Sequence, residues 1–456
     1  MNIGFDTIGN ATVIVYDNGK SVLATDPWIQ GSAYFGSWRM SHQIPEEQFA
    51  AVKNCEFIWF SHGHPDHLNG DSLSLFKGKK ILLPDHVGGR IRGDLTKDGY
   101  DVQVLPNREW FKISDHVRIL CISDYYQDAI LLIDVSGRLI VNTNDAIDRG
   151  WGRFARKIVK EFRVSVLLAL FGHGDADMIN FFAEDGTYIP PKAARKLPVG
   201  ISIKQAAESW GVKYCIPFSS MHQYQRTDSI WANEYTTQLS DYAKGFNSKS
   251  VELLPAYIRF DCETDRWQKI NPPRSEQLVY EPEQFDDNWK DVLSKEDLKQ
   301  VSDYFGRIEH LQTFLDFINI RVGGQDNVIP IGKDQFKRGI TFEVPRNSLM
   351  IATEYQIFDD LLIGNFMKTT LHGKWPKSQL YPDFIPYVAR YSDNAASRTK
   401  EELDRYFEEY RKREPLEYLR HKFEQKSVDV FRSHVTGGSK VFQFGKRVYW
   451  FMKKSA

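Results

Sequence analysis

Paired cysteines are missing from this chain. Cys55, Cys121, Cys215 and Cys262 are its four cysteines, and none of them stands in a C-x-x-C pair. That spacing argues against zinc ribbons and against iron–sulfur clusters held by cysteine. An excess of charge is missing too: 59 basic residues face 60 acidic ones, a formal charge of -1. Bulk electrostatics therefore favour neither nucleic acid nor an anionic membrane as partner. No apolar run approaches the length of a membrane span. The opening "MNIGFDTIGNATVIVYDNG" has no basic stretch followed by an apolar one, the pattern of a secretory signal. A cytoplasmic, reducing location is the expectation. Internal repeats and low-complexity tracts are absent as well.

What remains is an ordinary globular composition, 42% apolar and 26% charged over 456 residues. Two domains are expected at this length. Cores of that size need neither disulfide nor metal merely to stay folded.

The first third reads as short strands between turns. "ATVIVYDNGKSVLAT" holds two strand-like runs around Asp17-Asn18-Gly19, a hairpin signal. "CEFIWFS", "KKILLP", "YDVQVLP", "VRILCIS", "AILLIDVSG" and "RLIVNTND" continue the pattern. Helices are expected at "LNGDSLSLF", "GRFARKIVKEF" and "SIKQAAESWG", and strands at "VSVLLALF" and "KYCIPF". Mixed in this way, they predict sheets covered by helices, an α/β or α+β body. The Pro- and charge-rich run "DCETDRWQKINPPRSEQLVYEPEQFDDNW" reads as a linker. It divides the chain into a catalytic domain, 1–275, and a smaller α+β domain, 276–456. The second is expected to complete the pocket or to mediate contacts in a homodimer. Within it Leu361, Leu362, Ile363 and Phe366 read as core. "TKEELDRYFEEYRKREPLEYLRHKF" is a charged helix broken at Pro415. Its Leu403, Tyr406, Phe407 and Tyr410 form one stripe expected to pack on its own protein.

The chemistry concentrates in "IWFSHGHPDHLNGDSL". Three of the twelve histidines fall between positions 62 and 67, directly after an apolar strand. His62 and His64 are two apart, so in an extended stretch they face the same way. Asp66 and His67 follow the turn at Pro65 and can face a neighbouring point. Two half-sites a few ångströms apart suit two cations. Imidazole with carboxylate suits Zn, Fe or Mn. A bridging carboxylate is expected from another strand end, where Asp145 stands. A late histidine should close the second half-site. His222 is preferred, with His173 lining the pocket or substituting for it.

"SHGHPDH" resembles the metal motif of the metallo-β-lactamase superfamily. "ATDPW" resembles its early strand, whose Asp, here Asp26, lies beneath the ligands. "VNTNDA" resembles the segment that supplies the bridging Asp. The resemblance implies a four-layer αββα sandwich with the site along one edge of two facing sheets. A longer resemblance, through "DPWIQGSAYFGSWRMSHQIP", "DAILLIDVSGRLIVNTNDA", "KYCIPFSS" and "FDDLLIGNFM", runs to the catalytic part of the CMP-N-acetylneuraminic acid hydroxylase family. Those proteins place a Rieske iron–sulfur domain before this part. Here the chain opens on the sandwich strands and has no Cys-x-His pair, so electrons are expected from a separate donor, a ferredoxin or reductase. Hydrolases of the superfamily carry a further His about twenty residues before the bridging Asp. In its place "CISDYYQDAILL" offers Asp124, with Asp128 four residues on. That departure resembles the diiron oxygenases built on this fold.

Two readings follow from the resemblance. In the first, an oxygenase, His62, His64 and Asp124 hold one iron and Asp66, His67 and His222 the other. Asp145 bridges, and O₂ is co-substrate. Asp66, Asp145 and His173 are then the catalytic candidates. In the alternative, two Zn or Mn ions activate water to hydrolyse a lactone, amide or phosphodiester. A metal-binding scaffold without turnover is a third class. A small polar substrate, such as an anionic one, is expected to meet Arg149 and Arg226, and Tyr125, Tyr126 and Trp151 read either as an aromatic wall or as core packing.

Overall fold

The computed structural model describes residues 1–146, 152–174, 178–391 and 395–434, and beyond them only 441, 444, 445, 448 and 449. The expected hairpin is present. Thr12–Asp17 and Lys20–Thr25 pair antiparallel, with Asp17 opposite Lys20. Asn18 and Gly19 both take positive φ, 50° and 75°. A two-residue turn needs that backbone to match the twist of its strands, and Asn and Gly tolerate it best.

Two large sheets face each other. The first runs Arg266–Lys269, Ile258–Asp261, Gly4–Ile8, Thr12–Asp17, Lys20–Thr25, Phe57–Trp59, Lys80–Leu83, Asp101–Val104. The second runs Glu252–Leu253, Tyr214–Phe218, Val164–Leu170, Arg138–Asn144, Ala129–Val135, Val117–Ser123, Trp110–Lys112. Side-chain alternation decides what each strand buries. In Ala129–Val135, residues Ala129, Leu131 and Ile133 enter a core shared with Phe5, Val15, Trp59 and Leu82 of the opposite sheet. Ile130 and Leu132 turn outward into a second core, with Val52, Ile91, Ile203 and Ala207 of the covering helices. Each large apolar side chain so enclosed is worth about 1.5–3 kcal/mol. Glu46–Asn54 and Arg90–Lys97 cover the first sheet and Val199–Trp210 the second. This is the four-layer αββα sandwich implied by the motif resemblance.

Strand direction places the site. Lys20–Thr25, Phe57–Trp59 and Lys80–Leu83 run parallel in one sheet, as do Arg138–Asn144, Val164–Leu170 and Tyr214–Phe218 in the other. The loops after their C-terminal ends therefore gather along one edge, where α/β sheets characteristically bind ligands.

The expected divide near residue 275 is crossed by pairing. The third sheet runs Tyr188–Ile189, Asn180–Ala183, Lys368–His372, Gly339–Glu343, Phe317–Val322, Gln325–Pro330, so two strands from the first part join four from the second. The Pro-rich run is tied down: Ser275 N donates to Ser41 O at 2.9 Å and Tyr280 N to Gln225 O at 2.8 Å. Asp287, fully buried, accepts from Arg226 and Ser348. The run is a seam between the two parts.

The charged helix breaks where expected, into Lys400–Arg413 and Pro415–His434. Proline at the first helical position forfeits only an N–H that had no partner within the helix. Thr399 caps the first, accepting from Glu402 N. The stripe packs on its own chain: Tyr406 donates to Tyr125 O at 2.7 Å and Tyr410 OH lies 3.3 Å from His86 Nδ1. Among the described residues no helix is long and apolar enough to cross a membrane.

Candidate metal centre

Four strand ends supply the site. Asp26 follows Lys20–Thr25, Ser61 and His62 follow Phe57–Trp59, Asn144 ends Arg138–Asn144 with Asp145 next, and Ser219 follows Tyr214–Phe218. Three of these residues hold the left-handed backbone region: Asp26 at φ 39°, Asn144 at φ 46° and Ser219 at φ 61°. Outside glycine such a backbone costs of order 1–3 kcal/mol and gathers at functional sites. After Pro65 the chain turns tightly, with Leu68 N on His64 O at 2.8 Å. Asn69 pins the turn, donating to Pro65 O and accepting from Ser72 N.

His62, His64 and Asp145 converge. His62 Nε2 lies 2.9 Å from His64 Nδ1 and 3.9 Å from Asp145 Oδ2. The three present ligand atoms that all lie within 4.8 Å of one another. A second group adjoins it: His67 Nε2 stands 3.3 Å from Asp66 Oδ2 and 3.6 Å from Asp145 Oδ2. Donors held about 2.0–2.2 Å from one cation stand roughly 3–3.5 Å apart, so the group of His62, His64 and Asp145 fits a metal ion, with His67 and Asp66 beside it. Asp145 belongs to both. His62, Asp66 and His67 are buried, whereas the side chains of His64 and Asp145 are each 26% exposed. The site therefore opens on the His64 and Asp145 side.

Polar contacts behind these donors are dense. Asp26, fully buried, accepts from Ser61 N at 2.7 Å, Ser61 Oγ at 2.8 Å and Asn144 Nδ2 at 2.6 Å. Its Oδ2 also lies 3.3 Å from His67 Nδ1. A carboxylate on that nitrogen leaves Nε2 to face a cation. Asp66 accepts from Tyr34 OH at 2.5 Å and Asn10 Nδ2 at 2.8 Å.

The ionisation of the site follows. Burial disfavours charge on His64, yet the Asp359 hydrogen bond and the charges of Asp359, Asp360 and Asp66 prevail and raise it to about 10. Burial opposes charge on His67 as well, and Asp66, Asp145 and Asp26 lift it well above the usual imidazole value. Against its own burial, Asp66 is held below the carboxylate range by His67, Tyr34 and His64. The cluster is an anionic pocket that takes up positive charge, from protons or from metal.

The histidine motif and Asp145 come together; the other candidates are held by contacts of their own. Asp124 Oδ1 accepts from Tyr126 N and Asp128 N, closing its own loop. Asp128 is the residue of that loop that faces His62, 4.0 Å from Nδ1, the nitrogen turned away from the donor group. Neither aspartate joins the donor groups among the described residues. His222 sits in a strand paired with Met40, stacks flat on Trp38 with ring centres 3.4 Å apart, and lies 3.1 Å from Gly174 O through Nε2. At the position beside His67 stands Ser219, its Oγ 3.3 Å from Nε2. His173 exchanges backbone contacts with Thr237. Arg226 is fully buried between Asp228 and Asp287, which makes it part of the seam and turns it away from any substrate. Tyr125 is 2% exposed and packed against Tyr126, Phe407, Tyr418 and His421, the core-packing alternative of its two readings. Arg149 and Trp151 lie outside the described residues.

Two donors had gone unread. Asp359 and Asp360 open the helix Phe358–Gly364, each 6% exposed, and form a close group with His64. Two acids heading an apolar run were the available signal. A cavity of about 70 Å³ touches His62 from the other side, between Ser61, Asp85, His86 and Arg92. Ligand pockets start at roughly 300 Å³, so this space is too small for substrate.

Fold and site together define a class: an αββα sandwich of the metallo-β-lactamase kind, with a histidine–aspartate donor cluster at the edge of its sheets. In particular, the chain is 28% identical to the cytidine monophosphate-N-acetylneuraminic acid hydroxylase of Danio rerio over 144 residues, 30% of this chain and 24% of that one. The match thus spans about a quarter of the length of the curated relatives. Among solved structures, the chain is similar to Igni18, a metallo hydrolase from Ignicoccus hospitalis, with a TM-score of 0.34 and 14% identity, covering 57% of this chain and 99% of that one. It is also similar to the metallo-β-lactamase fold protein YhfI from Bacillus subtilis, with a TM-score of 0.31 and 13% identity, covering 55% and 91%. No protein-family model matches.

Proposed function

We propose that the protein is a non-haem diiron oxygenase that hydroxylates a small polar substrate with electrons from a separate donor. The observation that carries this reading is the donor set. His62, His64 and Asp145 form a close group of two imidazoles and one carboxylate. That combination, with open positions, suits the iron(II) of non-haem oxygenases. The similarity to a hydroxylase over 144 residues points the same way.

His62, His64 and Asp145 would hold one iron, and Asp66, His67 and Asp145 the other. When bound, the pair supplies redox exchange with O₂, one oxygen atom entering the substrate and the other leaving as water with two electrons and two protons. The chain's own side chains set the geometry. Asp26 fixes His67 and Ser61, Tyr34 and Asn10 fix Asp66, and Ser219 fixes Asp145. Substrate would enter beside His64 and Asp145, the exposed pair.

The test is iron reconstitution under anaerobic conditions, followed by O₂. Support comes from about two irons per chain, an absorption band bleached by dithionite, and O₂ uptake that rises with a reductant and a substrate panel. Zinc-loaded, colourless protein that cleaves esters or phosphodiesters without O₂ would replace this reading with hydrolysis.

A further inference from the structure

His64 has two ring nitrogens with two different neighbours. Nδ1 lies 2.9 Å from His62 Nε2, inside the donor group. Nε2 points out of it, 3.4 Å from Asp359 Oδ2. Asp359 comes from almost 300 residues further along the chain. We infer that Asp359 is a positioning residue for the metal centre, accepting the Nε2 proton of His64 so that Nδ1 is left bare toward a cation. This deepens the proposed function and rests on its reading of His62, His64 and Asp145 as ligands.

An imidazole that binds metal through one nitrogen carries its proton on the other, and the partner of that proton fixes both tautomer and ring plane. His67 already shows the arrangement in mirror image, with Asp26 on Nδ1 and Nε2 facing the donors. For His64 the carboxylate on Nε2 is delivered by the second half of the chain.

The delivery is rigid. Phe358, next to Asp359, is wedged among Phe305, Phe342 and Phe384. The far end of the same helix is stitched to the sandwich: Gly364 O accepts from Ser37 Oγ at 2.6 Å, and Asn365 Nδ2 donates to Tyr224 OH at 2.8 Å. A Cβ on Gly364 would meet the Phe366 ring at 2.8 Å, so little slack remains. Both ends being held, Asp359 cannot drift from His64 without disturbing two cores.

The experiment uses the full chain. Zinc-loaded wild type, labelled with ¹⁵N histidine, is read by long-range ¹H–¹⁵N correlation, with His64→Asn to assign the resonance. A His64 signal protonated at Nε2 supports the inference; protonation at Nδ1 overturns it. Cobalt(II) titration then compares wild type with Asp359→Asn and Asp359→Glu, each checked for an unchanged thermal transition. A 10–100-fold loss of cobalt affinity and an altered d–d spectrum in Asp359→Asn, partly restored in Asp359→Glu, supports it. Cobalt binding and spectrum like wild type in Asp359→Asn overturns it while leaving the metal centre intact. Wild type that binds no cobalt overturns both readings.

Discussion

Ser219 donates its hydroxyl to Oδ1 of Asp145 across 2.7 Å. That bond turns the other oxygen, Oδ2, toward His62 and His67 together. Asp145 is thus aimed before any cation arrives. Ser219→Ala is expected to weaken loading by about 10-fold, and Asp145→Asn by more, since both groups share that carboxylate. Equilibrium dialysis with iron(II) or zinc measures this. Loading of Asp145→Asn equal to wild type would remove the shared-ligand account.

Asp26 offers a test of stability and loading at once. Asn at this position would set an NH₂ group against the donors of Ser61 and Asn144. An unmade buried hydrogen bond costs about 1–3 kcal/mol. The urea midpoint of Asp26→Asn should fall accordingly, and zinc affinity should drop about 10–100-fold through misaligned His67. A variant as stable as wild type would show that the network is slack.

Arg226 should act on folding alone. Removing one partner from a buried charge pair costs about 3–5 kcal/mol. Arg226→Leu leaves Asp287 buried without its cation, so thermal unfolding should move sharply downward. Unchanged stability would contradict its place in the seam.

His86 sets a pH dependence. Burial, with repulsion from Arg413, lowers its pKa from 6.5 to about 4, against the pull of Ser61 O. The unfolded chain takes up a proton below 6.5 that the folded chain refuses until about 4. Stability is therefore full above 6.5 and falls as pH drops through that window, by at most about 1.4 kcal/mol per unit. Chemical denaturation between pH 7 and 4.5 should show a shallower decline in His86→Gln than in wild type. Parallel declines would assign the acid sensitivity elsewhere.

The strands of the sandwich were legible because their residues alternate between two cores, a local pattern. Ala129–Val135 shows it at every apolar position. The motif from His62 to His67 was legible because its ligands are neighbours in sequence. Distance along the chain hid the rest. Asn180–Ala183 looks like any short strand, and its pairing with Lys368–His372 has no local trace. His222 follows a strand as a ligand would, yet pairing with Met40 and stacking on Trp38 decide where its ring lies. Asp359 and Asp360 head a helix, where acids are favoured by the dipole alone. Their approach to His64 exists only once the two halves meet.

Anomalous diffraction at the iron edge, from crystals loaded with iron(II), tests the donor geometry most directly. Two peaks are expected, one among His62, His64 and Asp145, the other among Asp66, His67 and Asp145. No peak at these side chains, or a single one placed away from Asp145, would contradict the account.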